Sequence, residues 1–248
     1  MARALGVPAT SYRSRIRRYI TIVFFLALVL CAVGGLAYFS VIKLSQCEPF
    51  SEEREYWWRV SSTFFAALTV LMFISFIVGA HSLFKIALLK KGRSGEEAVA
   101  RILERGLPDT YYVLNSVKKN GGDVDHIVVG ETGVFVVETK NYAGSRLVPV
   151  PGDKWLLDGE PVESPSLQVL RHIRWLRKVI GSKYPVYGIV VNVGSASISA
   201  TECDRVAILE ASKLPEFIKS GPLVLTQREI EQIVNVLSRY LEALTEST

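Results

Sequence analysis

Three side chains near the middle of the chain, Asp125, Glu138 and Lys140, have the types and spacing for hydrolytic chemistry. They sit at the outer ends of two runs rich in β-branched residues, 125–129 and 133–140, joined by Gly130-Glu131-Thr132-Gly133. Glycines bracketing a short polar stretch are turn chemistry, so the runs read as a hairpin. A two-residue or a four-residue loop gives the same register: Val129 faces Val134, Ile127 faces Val136, and Asp125 faces Glu138. Strand side chains alternate with period two, so Lys140 projects on the side of Glu138. Carboxylates facing each other across a sheet repel, and a divalent cation between them would remove that cost. The competing reading is an ordinary surface salt bridge of Lys140 with Asp125 or Glu138. Ile127, Val129, Val134 and Val136 share the face, and acids closing an apolar face are poorly placed for mere solvation, which favours a site. Hard cations such as Mg2+ or Mn2+ take a few carboxylate oxygens, waters and substrate phosphate oxygens. A neighbouring ammonium can orient the attacking water or stabilise developing negative charge. The combination suits metal-assisted phosphodiester hydrolysis.

The surrounding elements must hold these groups. Ser94 reads as the N-cap of a helix over 96–105 that Gly106 and Pro108 end. Its buried stripe is Val99, Ile102 and Leu103, which leaves Glu96 bordering the core and Glu97 in water. A strand over 111–117 and a turn over 118–122 lead into the hairpin. Short strands are expected at 147–150 and 154–157. Pro165 opens a helix over 166–180, closed by Gly181, with the apolar stripe Val169, Ile173, Leu176 and Ile180. Gln168, His172, Trp175 and Val179 form one flank of that helix. Arg171, Arg174 and Lys178 form the far face, read first as solvated, with phosphate contact as the alternative. Strands at 186–191 and 206–209 follow, then a capping box at Thr226 and Glu229 before a final helix to about 244. Strands and helices in this order give a mixed α/β domain with helices on both sides of a central sheet.

Charge and hydropathy divide the chain. Mean hydropathy is +0.27, and the apolar excess lies in two uncharged blocks, 19–42 and 60–80. Each is long enough for a helix to cross a hydrocarbon core of roughly 30 Å. Residues 1–93 hold twelve Lys/Arg against four Glu, hence +8, whereas 94–248 hold seventeen against twenty acids, hence −3. The overall +5 therefore belongs to the membrane part and is no argument for nucleic-acid binding. Arg3, Arg13, Arg15, Arg17 and Arg18 precede the first block; Lys85, Lys90, Lys91 and Arg93 follow the second. Positive flanks stay in the cytoplasm, so both termini are expected there and the loop 43–59 outside. The first block is longer than the apolar region of a cleaved leader, and Leu30 before Cys31 is too large for a lipoprotein site. Neither block carries Asp, Glu, Lys, Arg or His, which speaks for an anchor rather than a transport path. Cys31, Cys47 and Cys203 lie too far apart for a disulfide framework or a zinc pattern. Small residues at 31–37 could bring helices together, so a homo-oligomer through the two spans is a further expectation.

The run Gly95-Glu96, Asp125-His126-Ile127-Val128-Val129, Gly133 to Tyr142 and Gly144 resembles the nuclease-related domain (NERD) family of the PD-(D/E)xK nuclease superfamily. Trp155, and then Pro165, Gln168, His172 and Leu176, resemble that family's Pro-x-x-Gln-Asn-x-x-His helix. The likeness covers roughly 94–180. Val124, Ser164 and Val169 depart from the family pattern without removing an acid or the lysine. The resemblance implies a restriction-endonuclease-like fold, Asp125 and Glu138 as ligands of Mg2+ or Mn2+, Lys140 as the catalytic lysine and Glu96 as an accessory acid. It also implies Gln168 and His172 as substrate contacts. The expectation is a two-helix membrane hairpin (1–93) carrying a cytoplasmic nuclease domain (94–248) at a bacterial inner membrane, acting on DNA, with RNA as the alternative substrate. The rivals are a membrane-tethered nucleic-acid-binding module without turnover and a structural or signalling membrane protein.

Overall fold

A computed structural model describes residues 1–5, 12–119 and 122–246, without the side chains of 12–15 and 242–246. Asn120 and Gly121 of the expected turn, and the side chains of Arg13 and Arg15, fall outside the described residues. Two units are present, residues 12–90 and residues 1–11 with 91–248.

Strand β1 (Arg3–Leu5) precedes two long helices, α1 (Tyr12–Gln46) and α2 (Glu52–Gly106). Within the first unit the usual burial is inverted. Ala37, Ser40, Ser61 and Ser82 are buried, while Phe24, Phe25, Phe73 and Phe76 are exposed. Ser61 Oγ donates to Ser40 Oγ at 3.1 Å, and Ser40 Oγ to the Ala37 carbonyl at 2.7 Å. Small residues and serine hydroxyls between helices, with large apolar side chains outside, are the packing expected where the surroundings are themselves apolar. Both helices are long and apolar enough to be candidate membrane spans.

The separate helix expected to start at Ser94 is a correction: α2 runs unbroken from Glu52 to Gly106. Ser94 is not an N-cap; its Oγ bonds back to the Lys91 carbonyl at 2.9 Å, the habit of a serine inside a helix. Arg93 pairs with Glu97 one turn on, at 2.6 Å. Gly95, which reads as a breaker, is a packing residue, because a Cβ there would lie 2.8 Å from Val193.

The second unit contains β1, the end of α2, β2 (Tyr112–Val117), β3 (Val124–Gly130), β4 (Gly133–Lys140), β5 (Arg146–Val148), β6 (Lys154–Leu157) and β7 (Glu160–Glu163). It continues with α3 (Pro165–Ile180), β8 (Val186–Asn192), β9 (Ser197–Ile198), β10 (Glu202–Cys203), β11 (Val206–Glu210), α4 (Leu214–Lys219) and α5 (Gln227–Glu246). The main sheet has the order β1-β2-β3-β4-β8-β11-β10, antiparallel from β2 to β4 and parallel across β4, β8 and β11. A smaller sheet, β7-β6-β5-β9, lies beside it in the chain order. Ile127, Val129, Val134 and Val136 pack with Val169, Ile173 and Leu176 of α3 and with Ile233 and Leu237 of α5. Val128, Phe135, Val137, Ile189 and Val191 pack with Val99 and Leu103 of α2 and with Leu214 and Ile218 of α4. Covered on both faces, β4 and β8 are continuous apolar runs rather than alternating ones.

Strand β1 was not expected. It pairs in parallel with β2, Arg3 N–H donating to the Tyr111 carbonyl at 2.9 Å and the Arg3 guanidinium to the Tyr112 hydroxyl at 2.8 Å. Arg3–Leu5, which precede the first apolar helix in the sequence, thus belong to the same sheet as the domain after the second.

Candidate active site

The β3–β4 turn sets the register of the site. Gly130 pairs with Gly133 across Glu131 and Thr132. Gly133 has φ 131°, and a Cβ at Gly130 would run into the Tyr111 ring. Thr132 Oγ1 ties the turn down by donating to the Ile218 carbonyl at 2.7 Å. The ladder then runs Val129–Val134, Ile127–Val136 and His126–Val137, and Asp125 and Glu138 are next in line, in the expected register. Thr139 N–H donates to Asp125 Oδ2 at 2.8 Å across the strands.

Glu138 is only 2 % exposed. Lys140 Nζ donates to Glu138 Oε1 at 2.7 Å and to Gln168 Oε1, on α3, at 2.9 Å. His172, one turn further along α3, holds Nε2 3.6 Å from Glu138 Oε2. That exceeds a hydrogen bond, so among the described residues buried Glu138 Oε2 and both His172 nitrogens have no hydrogen-bond partner. Ser164 caps α3 and Pro165 starts it, which fixes the reach of Gln168 and His172 into the site. Of the residues singled out in the sequence, Asp125, Glu138, Lys140, Gln168 and His172 are therefore brought together. Glu96 is half-buried on α2, and its charge acts on Asp125.

The two carboxyls differ electrostatically. Burial pushes Asp125 well above the usual carboxylate range, and the charges of Glu138 and Glu96 push it the same way. Burial also pushes Glu138 up, but His172 and Lys140 outweigh it and hold that carboxyl below its ordinary value. Burial pulls the Lys140 ammonium down, yet Glu138 and Asp125 keep it above its ordinary value. Glu138 and Lys140 form a settled ion pair, and Asp125 is the reluctant anion beside it. Opposed like charges at close quarters push one carboxyl up in this way, which marks a candidate functional site.

Among the described residues no group of three or more His, Cys, Asp and Glu is arranged to hold a metal. A hard cation that keeps several waters needs only one or two carboxylates. Glu138 Oε2, without a partner among the described residues, and Asp125, whose charge burial and neighbouring acids disfavour, are oxygen donors of that kind, so the residues present fit such an ion.

Other residues shape the site without any signal strong enough in the sequence. Asn192 pairs with Lys140 in the β4–β8 register. Its Oδ1 accepts from Tyr142 N–H and Gly194 N–H, both at 3.1 Å, and its Nδ2 donates to the Ala196 carbonyl at 3.0 Å. It thereby fixes the chain leaving β4. On the other face of the hairpin, His126 Nδ1 meets Asn115 Oδ1 at 2.7 Å, and Asn115 Nδ2 donates to Glu104 Oε1 at 3.4 Å. Burial lowers the His126 pKa to about 4.

Residues 91–193 match the model of NERD, the nuclease-related domain. That stretch contains Glu96, Asp125, Glu138, Lys140, Gln168 and His172. A curated relative, an uncharacterized protein of Bacillus anthracis, is 35% identical over 125 residues, which covers 46% of this chain and 59% of the relative. The chain thus matches less than two thirds of that relative's length. No solved structure matches the chain.

Proposed function

We propose that this nuclease-related domain is a divalent-metal-dependent phosphodiester hydrolase acting on DNA, and that α1 and α2 anchor it to a membrane. The observation that carries the reading is the meeting of Asp125, Glu138 and Lys140 at one end of β3 and β4, inside a domain of that family. Asp125 and Glu138 Oε2 would hold Mg2+ or Mn2+. A bound divalent ion supplies charge neutralisation at the phosphate and a more acidic water. Lys140 has three N–H donors; Glu138 and Gln168 take two, which leaves one for the attacking water or a phosphate oxygen. The two anchoring contacts hold Nζ in place, so little motion is needed at the reaction. Thr139 N–H fixes Asp125 Oδ2, and His172 lies along Glu138 Oε2. Glu96 adds negative potential that favours a cation beside Asp125.

Strand β1 supports the membrane arrangement. Residues 3–5 and the domain share one sheet, so helices that leave and return must cross an even number of times. The arginines before the apolar block of α1 and the lysines after that of α2 favour the cytoplasmic side. The test is the full chain in detergent with DNA and Mn2+, beside Asp125→Ala and Lys140→Ala, with a parallel RNA substrate. Cleavage by the wild type, lost in both variants, supports the reading; one background rate for all three sinks it.

A further inference from the structure

Helix α3 carries four cations, Arg171, Arg174, Arg177 and Lys178, and no acid in its sixteen residues. All four are exposed. The domain that holds them is net negative, so this is a local concentration against the general balance. Arg171 is paired with Glu163 at 3.0 Å. Among the described residues no carboxylate pairs with Arg174, Arg177 or Lys178, and the only side-chain bond of Arg174 is to its own helix, at the Leu170 carbonyl.

Spacing organises them. At about 100° per residue, Arg171, Arg174 and Lys178 fall within about 60° of one another. Their arc adjoins the side of the helix that carries Gln168, the residue bonded to Lys140. Like charges at these spacings destabilise a helix. Cations in the last turn complement the helix dipole, which covers Arg177 and Lys178 but not Arg171 and Arg174 in the middle. Along the axis the row from 171 to 178 measures about 10 Å, close to the rise of three phosphates of one strand. It begins one turn beyond Gln168.

We propose that Arg171, Arg174 and Lys178 form a track for the nucleic-acid backbone, which leads one strand to the Asp125–Glu138–Lys140 site. This rests on the reading of the domain as acting on nucleic acid. Phosphate contacts position the substrate and carry no sequence information, so the track acts on affinity rather than on the chemical step. An anionic lipid surface offers related charge chemistry. Nucleic acid is favoured because the row shares its helix with Gln168 and His172, which reach the site.

The test uses the full chain in detergent with Arg174→Gln and Lys178→Gln, singly and together, and Arg174→Lys as the charge-keeping control. Affinity for a fluorescent DNA oligonucleotide is measured with EDTA between about 50 and about 200 mM KCl. Each lost charge should reduce the salt slope by about 0.7 to 0.9 and weaken binding roughly tenfold at about 0.1 M salt. Arg174→Lys should restore the wild-type slope. With Mn2+, KM should rise while kcat holds. Unchanged slopes and KM in the double variant overturn the track, and cleavage surviving with unchanged KM leaves the nuclease reading intact. Charge-dependent binding without wild-type cleavage supports the track and removes the hydrolase. In neutral nanodiscs, DNA should protect Lys178 from amine labelling; protection by anionic lipid alone, with no effect of DNA, assigns the row to the membrane and overturns the proposal.

Discussion

Asp125 and His126 are neighbours on β3, and Glu138 and Thr139 are neighbours on β4, yet each pair is split between two very different faces. Towards α3 the strands end in charge: Asp125, Glu138 and Lys140, with Gln168 on the lysine. Towards α2 they end in buried neutral groups, His126 bonded to Asn115 and Thr139 with no partner for its hydroxyl among the described residues. One residue of phase separates an arrangement fit for a cation from one that keeps its histidine uncharged. The pleat sets where a side chain points; the partner element sets what it can do there. Helix α3 brings the Gln168 amide and the His172 imidazole to the charged end, and α2 brings the aliphatic Val99 and Leu103 to the other face, with Glu104 on Asn115.

The contrast can be broken on the charged face first. Lys140→Ala should lower the cleavage rate on the order of 10²–10³-fold, the usual loss when one positioned donor is removed. It should also destabilise the fold by about 3 kcal/mol at neutral pH, since it strands a buried carboxylate; steady-state rates and denaturant melts read the two effects. Gln168→Ala should raise this lysine's mobility and cost less.

The neutral face should fail in acid. His126 has a pKa of about 4 in the fold, against about 6.5 unfolded. Its contribution is complete above pH 6.5 and is lost as pH falls towards 4, which amounts to about 3 kcal/mol. Urea melts of the domain signal across that window should show the slope, and His126→Gln should flatten it. A wild-type stability that does not change between pH 6.5 and 4 contradicts the assignment.

Asp125→Asn sharpens the comparison with Glu138. The amide keeps an acceptor for Thr139 N–H and removes a disfavoured charge. Because the folded pKa of Asp125 is raised, its contribution is complete below about 3.8 and is lost as pH rises through the folded value. The variant should therefore be more stable than wild type at neutral pH in EDTA, with the gain vanishing in acid. Glu138→Gln should do the opposite, because Lys140 loses its partner. The smallest effect is expected for Asn115→Ala, about 1 kcal/mol, chiefly from the hydrogen bond to His126, since the 3.4 Å bond to Glu104 is long, with the acid slope of His126 kept.

Much of the charged face was legible in the sequence. Period-two alternation and two glycines determine the hairpin register, Pro165 and Gly181 mark the ends of α3, and Thr226 and Glu229 form the expected cap, with Thr226 Oγ1 donating to Glu229 at 2.8 Å. These are local rules. The pairing of Asn115 with His126 and the bracing by Asn192 depend on strands meeting through the fold, and no spacing announces them. The three residues of β1 are too few for a periodic signal; their pairing with β2 makes them a strand. The unbroken α2 was misread because Gly92, Ser94 and Gly95 look like punctuation, whereas Gly95 answers to Val193. The apolar exterior of the helical unit was plain from composition alone.

The most direct measurement is calorimetric titration of the full chain in detergent with Mn2+, beside Asp125→Ala and Glu138→Ala. Shared coordination predicts one ion per wild-type chain and none at comparable affinity in either variant. Equal binding by all three proteins would contradict it.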